Sequence, residues 1–262
     1  MSRDRRETPD PAEITEETPA QICQPVADLC RSPGGPRDRQ VLLGDAVTLL
    51  GQTSGVSLIR AVKDGYCGYV KSDALCPPSA ATHSIIARAT HAYSAPDIKS
   101  PERCSLTFGS RVTALSETPG FIETAQGFLP RQHLAPVDQV ETDPAGIALR
   151  FLGTPYLWGG NTGWGIDCSG LVQAACHACH IPCPGDSDQQ CARLGRTLPP
   201  GTPYQRNDLL FWKGHVAWVT DPATLLHANA CHMAVAQEPI DSAIARITAQ
   251  GDGPVTAHKR LA

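Results

Sequence analysis

The sequence predicts a multidomain chain in which two small all-β barrels precede one α+β unit. Three observations carry that expectation. A pattern of short alternating apolar runs occurs twice between about residues 22 and 137, and a repeat of that size marks separate small units. Beyond it, helical spacing comes first and β-rich runs follow, which is an α+β order. Composition agrees: 23 glycines and 23 prolines against 5% aromatic residues favour short strands and turns, while 41% hydrophobic residues suffice for packed cores. At 262 residues the usual length per domain gives a prior of roughly two domains.

The charged, proline-bearing start, residues 1–21, lacks an apolar run. It is expected to be a disordered tail and neither a signal peptide nor an anchor. The first barrel is placed at 22–80 and the second at 81–137. In the first copy, Leu43 to Thr48 (L-G-D-A-V-T) precedes Val62 to Leu75, which contains G-Y-C-G-Y-V and a closing leucine. In the second, Phe108 to Thr113 (F-G-S-R-V-T) precedes Ile122 to Leu134. Period-two apolar runs broken by glycine suit small antiparallel barrels of about 60 residues. The terminal G-[YF]-[VL]-x-x-x-x-L of both copies resembles bacterial SH3-like domains.

The polar stretch Asp138 to Pro144 reads as a linker into a helix over Ala145 to Leu152, and the third unit is placed at 138–262. Leu171, Val172, Ala175 and Cys179 mark a helix after Cys168. Asp208 to Trp212, His215 to Thr220 and Thr224 to Ala228 read as strands. A helix near Asp241 to Ala249 and a strand near Val255 to His258 end the chain.

The chemistry concentrates in G-T-P-Y-L-W-G-G-N-T-G-W-G-I-D-C-S-G-L-V, residues 153–172. This glycine-rich loop delivers Cys168 to a helix start, where the backbone dipole and unpaired N–H groups favour a thiolate. A thiolate nucleophile needs a proton carrier, and the carrier needs an orienting partner. His215 in G-H-V-A-W-V and His227 in L-L-H-A-N lie twelve residues apart on neighbouring strand candidates, so a hairpin places them side by side. Either histidine alone reads more readily as a half-buried strand residue; the combination carries the reading.

D-C-S-G-L-V, Y-L-W-G-G, G-H-V-A-W-V and L-L-H-A-N, in that order over about residues 143–260, resemble the NlpC-type cell-wall cysteine peptidases. The resemblance implies a papain-like α+β catalytic domain. With two SH3-like units ahead of it, the chain is similar to the cytoplasmic γ-D-glutamyl-L-diamino-acid endopeptidases that recycle murein peptides. It implies Cys168 as nucleophile, His215 as general base and then acid, His227 as orienting residue, and no metal or other cofactor. It implies that Tyr156 shapes the oxyanion site and that Trp158 walls the pocket. In I-P-C-P-G-D-S-D-Q-Q it implies that Asp186 and Ser187 bind the free α-amine of L-Ala in L-Ala-γ-D-Glu-diamino acid, although D-S-D-Q-Q equally fits a helix cap. Tyr66 matches a tyrosine that reaches the active site from the first barrel; packing within its own barrel is as good a reading. Asp28 is a weaker acidic candidate.

A net charge of -4 removes the electrostatic case for a nucleic-acid partner, and no run is long enough to span a bilayer. Eleven cysteines without an export signal point to free thiols in the cytoplasm, with Cys168 expected to be the first alkylated. Cys176 to His180 (C-H-A-C-H) matches a haem-attachment pattern and, with Cys183, suggests zinc. Cys176, Cys179 and Cys183 read better as small hydrophobes along one helix face. Two other functions remain open: a non-catalytic wall-peptide binder, and an amidase or acyltransferase on the same fold.

Overall fold

The computed structural model describes residues 4–261 and divides into two compact units, the first ending at Gln139 and the second beginning at Val140. In the first unit, strands β1 (Thr18–Ile22), β2 (Val26–Cys30), β3 (Arg37–Leu42), β4 (Ala46–Thr53), β5 (Val56–Ala61), β6 (Cys67–Lys71) and β7 (Leu75–Cys76) form one antiparallel sheet. Their order is β3-β2-β6-β5-β4-β1-β7. The inward residues of these alternating strands, among them Ile22, Leu29, Val41, Val47, Ile59 and Val70, make its core.

A second β module follows with β8 (His83–Ile85), β9 (Ala89–Tyr93), β10 (Glu102–Thr107), β11 (Arg111–Val112), β12 (Ser116–Glu117), β13 (Phe121–Thr124), β14 (Gly127–Pro130) and β15 (Leu134–Pro136). These pair as β10-β9-β14-β13-β12 and β11-β8-β15 around Ile85, Leu106, Ile122 and Leu129. The repeated motif explains how the modules meet. Gly44 and Gly109, at equivalent places in the two copies, have φ of +82° and +84°. The Arg111 N–H donates to Leu43 O at 2.8 Å, and a Cβ on Gly44 would lie 2.4 Å from Arg111 O. The first copy thus needs glycine twice over, for its turn and for the approach of the second.

Residues 4–21 are ordered, which corrects the expected disordered tail. Charge excludes a segment from a core but leaves it free to pair. Arg5 binds Asp38, the Cys67 N–H donates to Arg6 O, and the Tyr69 hydroxyl donates to Glu13 at 2.6 Å. β1 then lies between β4 and β7.

In the second unit, helix α1 (Pro144–Leu149) is shorter than the expected Ala145 to Leu152. The loop that follows carries a small hairpin, β16 (Asn161–Thr162) with β17 (Gly165–Ile166), and leads into α2 (Cys168–Ala178) and α3 (Ser187–Arg193). An antiparallel sheet, β18 (Arg196–Thr197), β19 (Asp208–Trp212), β20 (His215–Asp221), β21 (Thr224–Asn229), β22 (Ala234–Pro239) and β23 (Ala257–Arg260), is ordered β18-β23-β19-β20-β21-β22. Helix α4 (Ile240–Ala249) lays Ile240, Ala243 and Ile247 on Leu210, Trp212, Ala217, Val219 and Leu225. α1 and α2 pack on β20 and β21. With helices against it, the sheet centre is buried almost throughout, so β19 reads as an unbroken apolar run, L-L-F-W, after Asp208.

α2 ends at Ala178, with Cys179 at its C-cap and His180 at φ +54°, so Cys183 lies beyond the helix. That corrects the expected single face of three cysteines. Cys176 and Cys183 are both buried, and the Cys183 thiol donates to Pro184 O at 3.5 Å. No helix among the described residues is long and apolar enough to cross a membrane.

Candidate active site

Asp167 positions the candidate nucleophile. As N-cap of α2, its carboxylate accepts from the Gly170 N–H at 2.7 Å and from the Ser169 hydroxyl at 3.0 Å; its other oxygen accepts from the Gly159 N–H at 2.9 Å. One side chain therefore closes the helix start and ties the glycine-rich loop to it. Gly170 permits the close packing, since a Cβ there would lie 2.5 Å from Gly160 O. Sequence reasoning quoted Asp167 but gave it no role; an aspartate directly before a helix start was the available signal.

Cys168 opens α2 and is only 8% exposed. Burial, followed by the neighbouring Asp167 charge, pushes its thiol up to about 12, although the backbone N–H groups of Val216, Ser169 and Cys168 itself all favour the sulfur anion. The expected helix-lowered pKa is therefore not met. The helix start is present, but removing the sulfur from water outweighs it. The Val216 contact also puts the sulfur beside the first peptide of β20, next to His215.

The two histidines meet across β20 and β21. Continuing the register Trp218↔Leu226 places His227 opposite Ala217, diagonal to His215 on the same face. His215 Nε2 and His227 Nδ1 are 2.7 Å apart. Burial pushes His215 down to about 3, helped by His227 when that ring is protonated and by the Arg246 charge; burial lowers His227 to about 4, against the pull of Glu238. Both rings are thus neutral at pH 7. His227 Nε2 lies 2.7 Å from Glu238 Oε1, and Arg246 binds both carboxylate oxygens of Glu238. Glu238 stands on β22, a strand that sequence reading left out, and no signal in A-V-A-Q-E-P singled it out.

Tyr156 bonds its backbone N–H to Met233 O, and its phenol is held well above its usual range, by burial first and then by Cys168, when that thiol is ionised, and the Asp167 charge. It stays a hydrogen-bond donor. A cavity of about 390 Å³ adjoins this group, lined by Tyr156, Lys213, His215, His227, Asn229 and Arg246 among others. Trp158 does not line it; at 69% exposure the indole is neither a wall of that cavity nor core, because the loop turns it outward.

Asp186 occupies the N-cap position of α3, yet its carboxylate makes no cap hydrogen bond; Ser187 is the first helical residue, and both are half-buried. Gln190, which sequence reading gave no role, holds this element to α2. Its Nε2 donates to Ser169 O at 2.9 Å and to Pro184 O at 3.0 Å. Tyr66 is placed differently from the active-site expectation. It is 3% exposed within the first module's core, with the Arg39 guanidinium 5.5 Å above its ring. A large ring in a barrel this small is taken up by the barrel's own core. Asp28 accepts from Arg37 and Gln40 in the same module.

The second unit thus sets a helix-borne thiol near a pair of hydrogen-bonded imidazoles on an antiparallel sheet. Residues 153–248 match the NlpC/P60 family, and residues 29–75 match the bacterial dipeptidyl-peptidase Sh3 domain. The chain is similar to the gamma-D-glutamyl-L-lysine dipeptidyl-peptidase of Bacillus subtilis, at 27% identity over 213 residues, 72% of this chain and 71% of that protein. A Bacillus cereus protein of the same name is 32% identical over 100 residues, 35% of this chain and 29% of that one. In fold, the chain resembles the crystal structure of an NlpC/P60 family protein from Bacillus cereus, with a TM-score of 0.77 at 19% identity, over 93% of this chain and 99% of that one.

Proposed function

We propose that the chain is a cysteine endopeptidase that hydrolyses the amide between γ-D-Glu and the diamino acid, L-Lys or meso-diaminopimelate, of free murein peptides with an unblocked N-terminal L-Ala. The observation that carries this reading is the 2.7 Å contact of His215 with His227, on the strand whose Val216 N–H reaches the Cys168 sulfur. The names of the Bacillus relatives supply the bond.

Because burial keeps thiol and imidazole neutral, the Cys168 proton passes to His215 as the sulfur attacks the γ-amide carbon. N–H groups at the start of α2 and the protonated Tyr156 phenol face the oxyanion that develops. His215 returns the proton to the leaving nitrogen, the C–N bond breaks, and a thioester remains. Water, deprotonated by His215, then releases L-Ala-γ-D-Glu and restores the thiol. Asp186, at the start of α3, pairs with the L-Ala ammonium, and Ser187 accepts a further hydrogen bond from it. Blocking that amine leaves a carboxylate desolvated without its partner. The second β module is read as a second SH3-like barrel, and the protein as a cytoplasmic enzyme of murein peptide recycling, where a reducing solvent keeps its thiols free.

The test is turnover of L-Ala-γ-D-Glu-diaminopimelate and its lysine counterpart, each with a free or acetylated amine, followed by mass spectrometry. Release of the diamino acid from the free-amine peptides is expected, with none from Cys168→Ala and a loss of several orders of magnitude in His215→Ala. Equal turnover of acetylated peptide overturns the role of Asp186. Binding without cleavage identifies a peptide-binding protein instead, and transfer to an added amine in place of water identifies an acyltransferase.

A further inference from the structure

Beyond the histidine pair, the hydrogen bonds continue to a carboxylate and a guanidinium that the proposed chemistry leaves unused. Arg246 Nη2 and Nε face the two oxygens of Glu238, a two-point contact that suits a carboxylate and not its protonated form. Glu238 Oε1 therefore only accepts, and the proton in the 2.7 Å contact with His227 belongs to His227 Nε2. A neutral His227 with its proton on Nε2 has a lone pair on Nδ1. Across the next 2.7 Å contact, the proton must then sit on His215 Nε2. A neutral His215 so protonated keeps its lone pair on Nδ1, the nitrogen not engaged by His227. The opposite assignment sets two lone pairs against each other at the carboxylate, or requires protonated Glu238 in the face of Arg246.

We propose that Glu238, clamped by Arg246, is a positioning residue that sets the tautomer of both histidines and so leaves His215 Nδ1 as the proton acceptor for Cys168. The inference rests on the cysteine peptidase reading for its consequence and, for its tautomers, on the hydrogen bonds between two buried, neutral rings. His232 Nδ1, 3.7 Å from Glu238 and 3.0 Å from Asn229 Oδ1, is more distant and has its own partner. Glu238 is 9% exposed and His227 1%, so bulk water does not take over either role. When His215 takes the thiol proton, the positive ring faces a neutral His227 backed by the Glu238 charge.

The experiment is nitrogen-15 NMR of the histidine side chains in the full-length labelled protein at pH 7, assigned by comparison with His227→Gln. Both His215 and His227 are expected to carry their proton on Nε2. A proton on Nδ1 of either ring in the unaltered protein overturns the proposal, whatever the enzyme cleaves. The double variant Glu238→Leu, Arg246→Met removes the acceptor and its partner together. It is expected to spread the His227 proton over both nitrogens and to lower kcat about 10- to 100-fold. Glu238→Gln, which keeps an acceptor, should lose less. Unchanged kcat in the double variant overturns the positioning role. If the double variant does not fold, the spectrum of the unaltered protein decides alone. Correct tautomers in a protein that cleaves no peptide sink the peptidase reading and leave the tautomer assignment standing.

Discussion

At Cys168 two residue-scale effects compete, and their order can be read from the thiol's chemistry. The N-terminal position on α2 and three backbone N–H groups favour the anion, while burial and the Asp167 charge oppose it and win, at about 12. In the proposed reaction the thiol therefore gains its nucleophilicity only as His215 takes its proton. This reverses the alkylation order expected from the motif. Cys23 and Cys231 are exposed, whereas Cys168 is buried and protonated. With limiting iodoacetamide at pH 7.5, peptide mapping should show Cys23 and Cys231 carrying the first label while peptide turnover is retained. Loss of activity in step with the first equivalent of label would show that Cys168 is ionised at rest.

At the scale of elements, the site depends on how α3 is fastened to α2. Gln190 is buried, and its amide donates to the carbonyls of Ser169 and Pro184. Gln190→Leu keeps the volume but takes one donor from each carbonyl, at a cost of about 0.5 to 1.5 kcal/mol for each hydrogen bond lost. A lowered Tm is expected, together with a KM for the proposed free-amine peptide that rises several-fold while kcat changes little, since Asp186 and Ser187 lose their support before Cys168 does. An unchanged KM in the folded variant would separate α3 from substrate binding.

The elements also differ in how legible they were. β19, β20 and β21 announce themselves because helices pack against the sheet and their apolar runs are nearly unbroken. The cysteine, both histidines and the helix start were legible for the same reason: each sits at the edge of a strong apolar pattern. β22 was not. Alanines replace β-branched residues along it, and its inward position at 238 holds a charge, which reads as a solvent-facing residue until the partner Arg246 from α4 is known. Tyr66 failed differently, because sequence gives a ring's position in a turn but not whether its own barrel has room for it.

Across the whole molecule, acidity should act most strongly on the second unit, although burial also lowers His133 in the first. His215 and His227 are neutral in the folded state at about 3 and about 4, against 6.5 for an ordinary histidine, so the unfolded chain binds protons that the folded one refuses. A pKa depressed on folding contributes stability that is fully present above 6.5 and is lost as pH falls toward the folded values. Each imidazole removes about 1.4 kcal/mol per pH unit within that window, roughly 3 for the pair. Asp208, held below its usual range by Arg260 and His258 against burial, and Glu238, held low by Arg246 and His227 against burial, add losses only further down, near ordinary carboxylate values. All four tryptophans, Trp158, Trp164, Trp212 and Trp218, lie in the second unit, so their fluorescence reports its unfolding alone. Urea midpoints followed by that signal should hold steady from pH 8 to 7 and fall steeply between pH 6 and 4, with an unchanged slope in urea. His227→Gln should lower the midpoint at pH 7 and roughly halve the decline with acid, because one of the two protons taken up on unfolding is gone. A midpoint equal at pH 7 and pH 5 in the unaltered protein would mean that the two rings titrate normally, and that the neutral pair on which the proton transfer depends does not exist in solution.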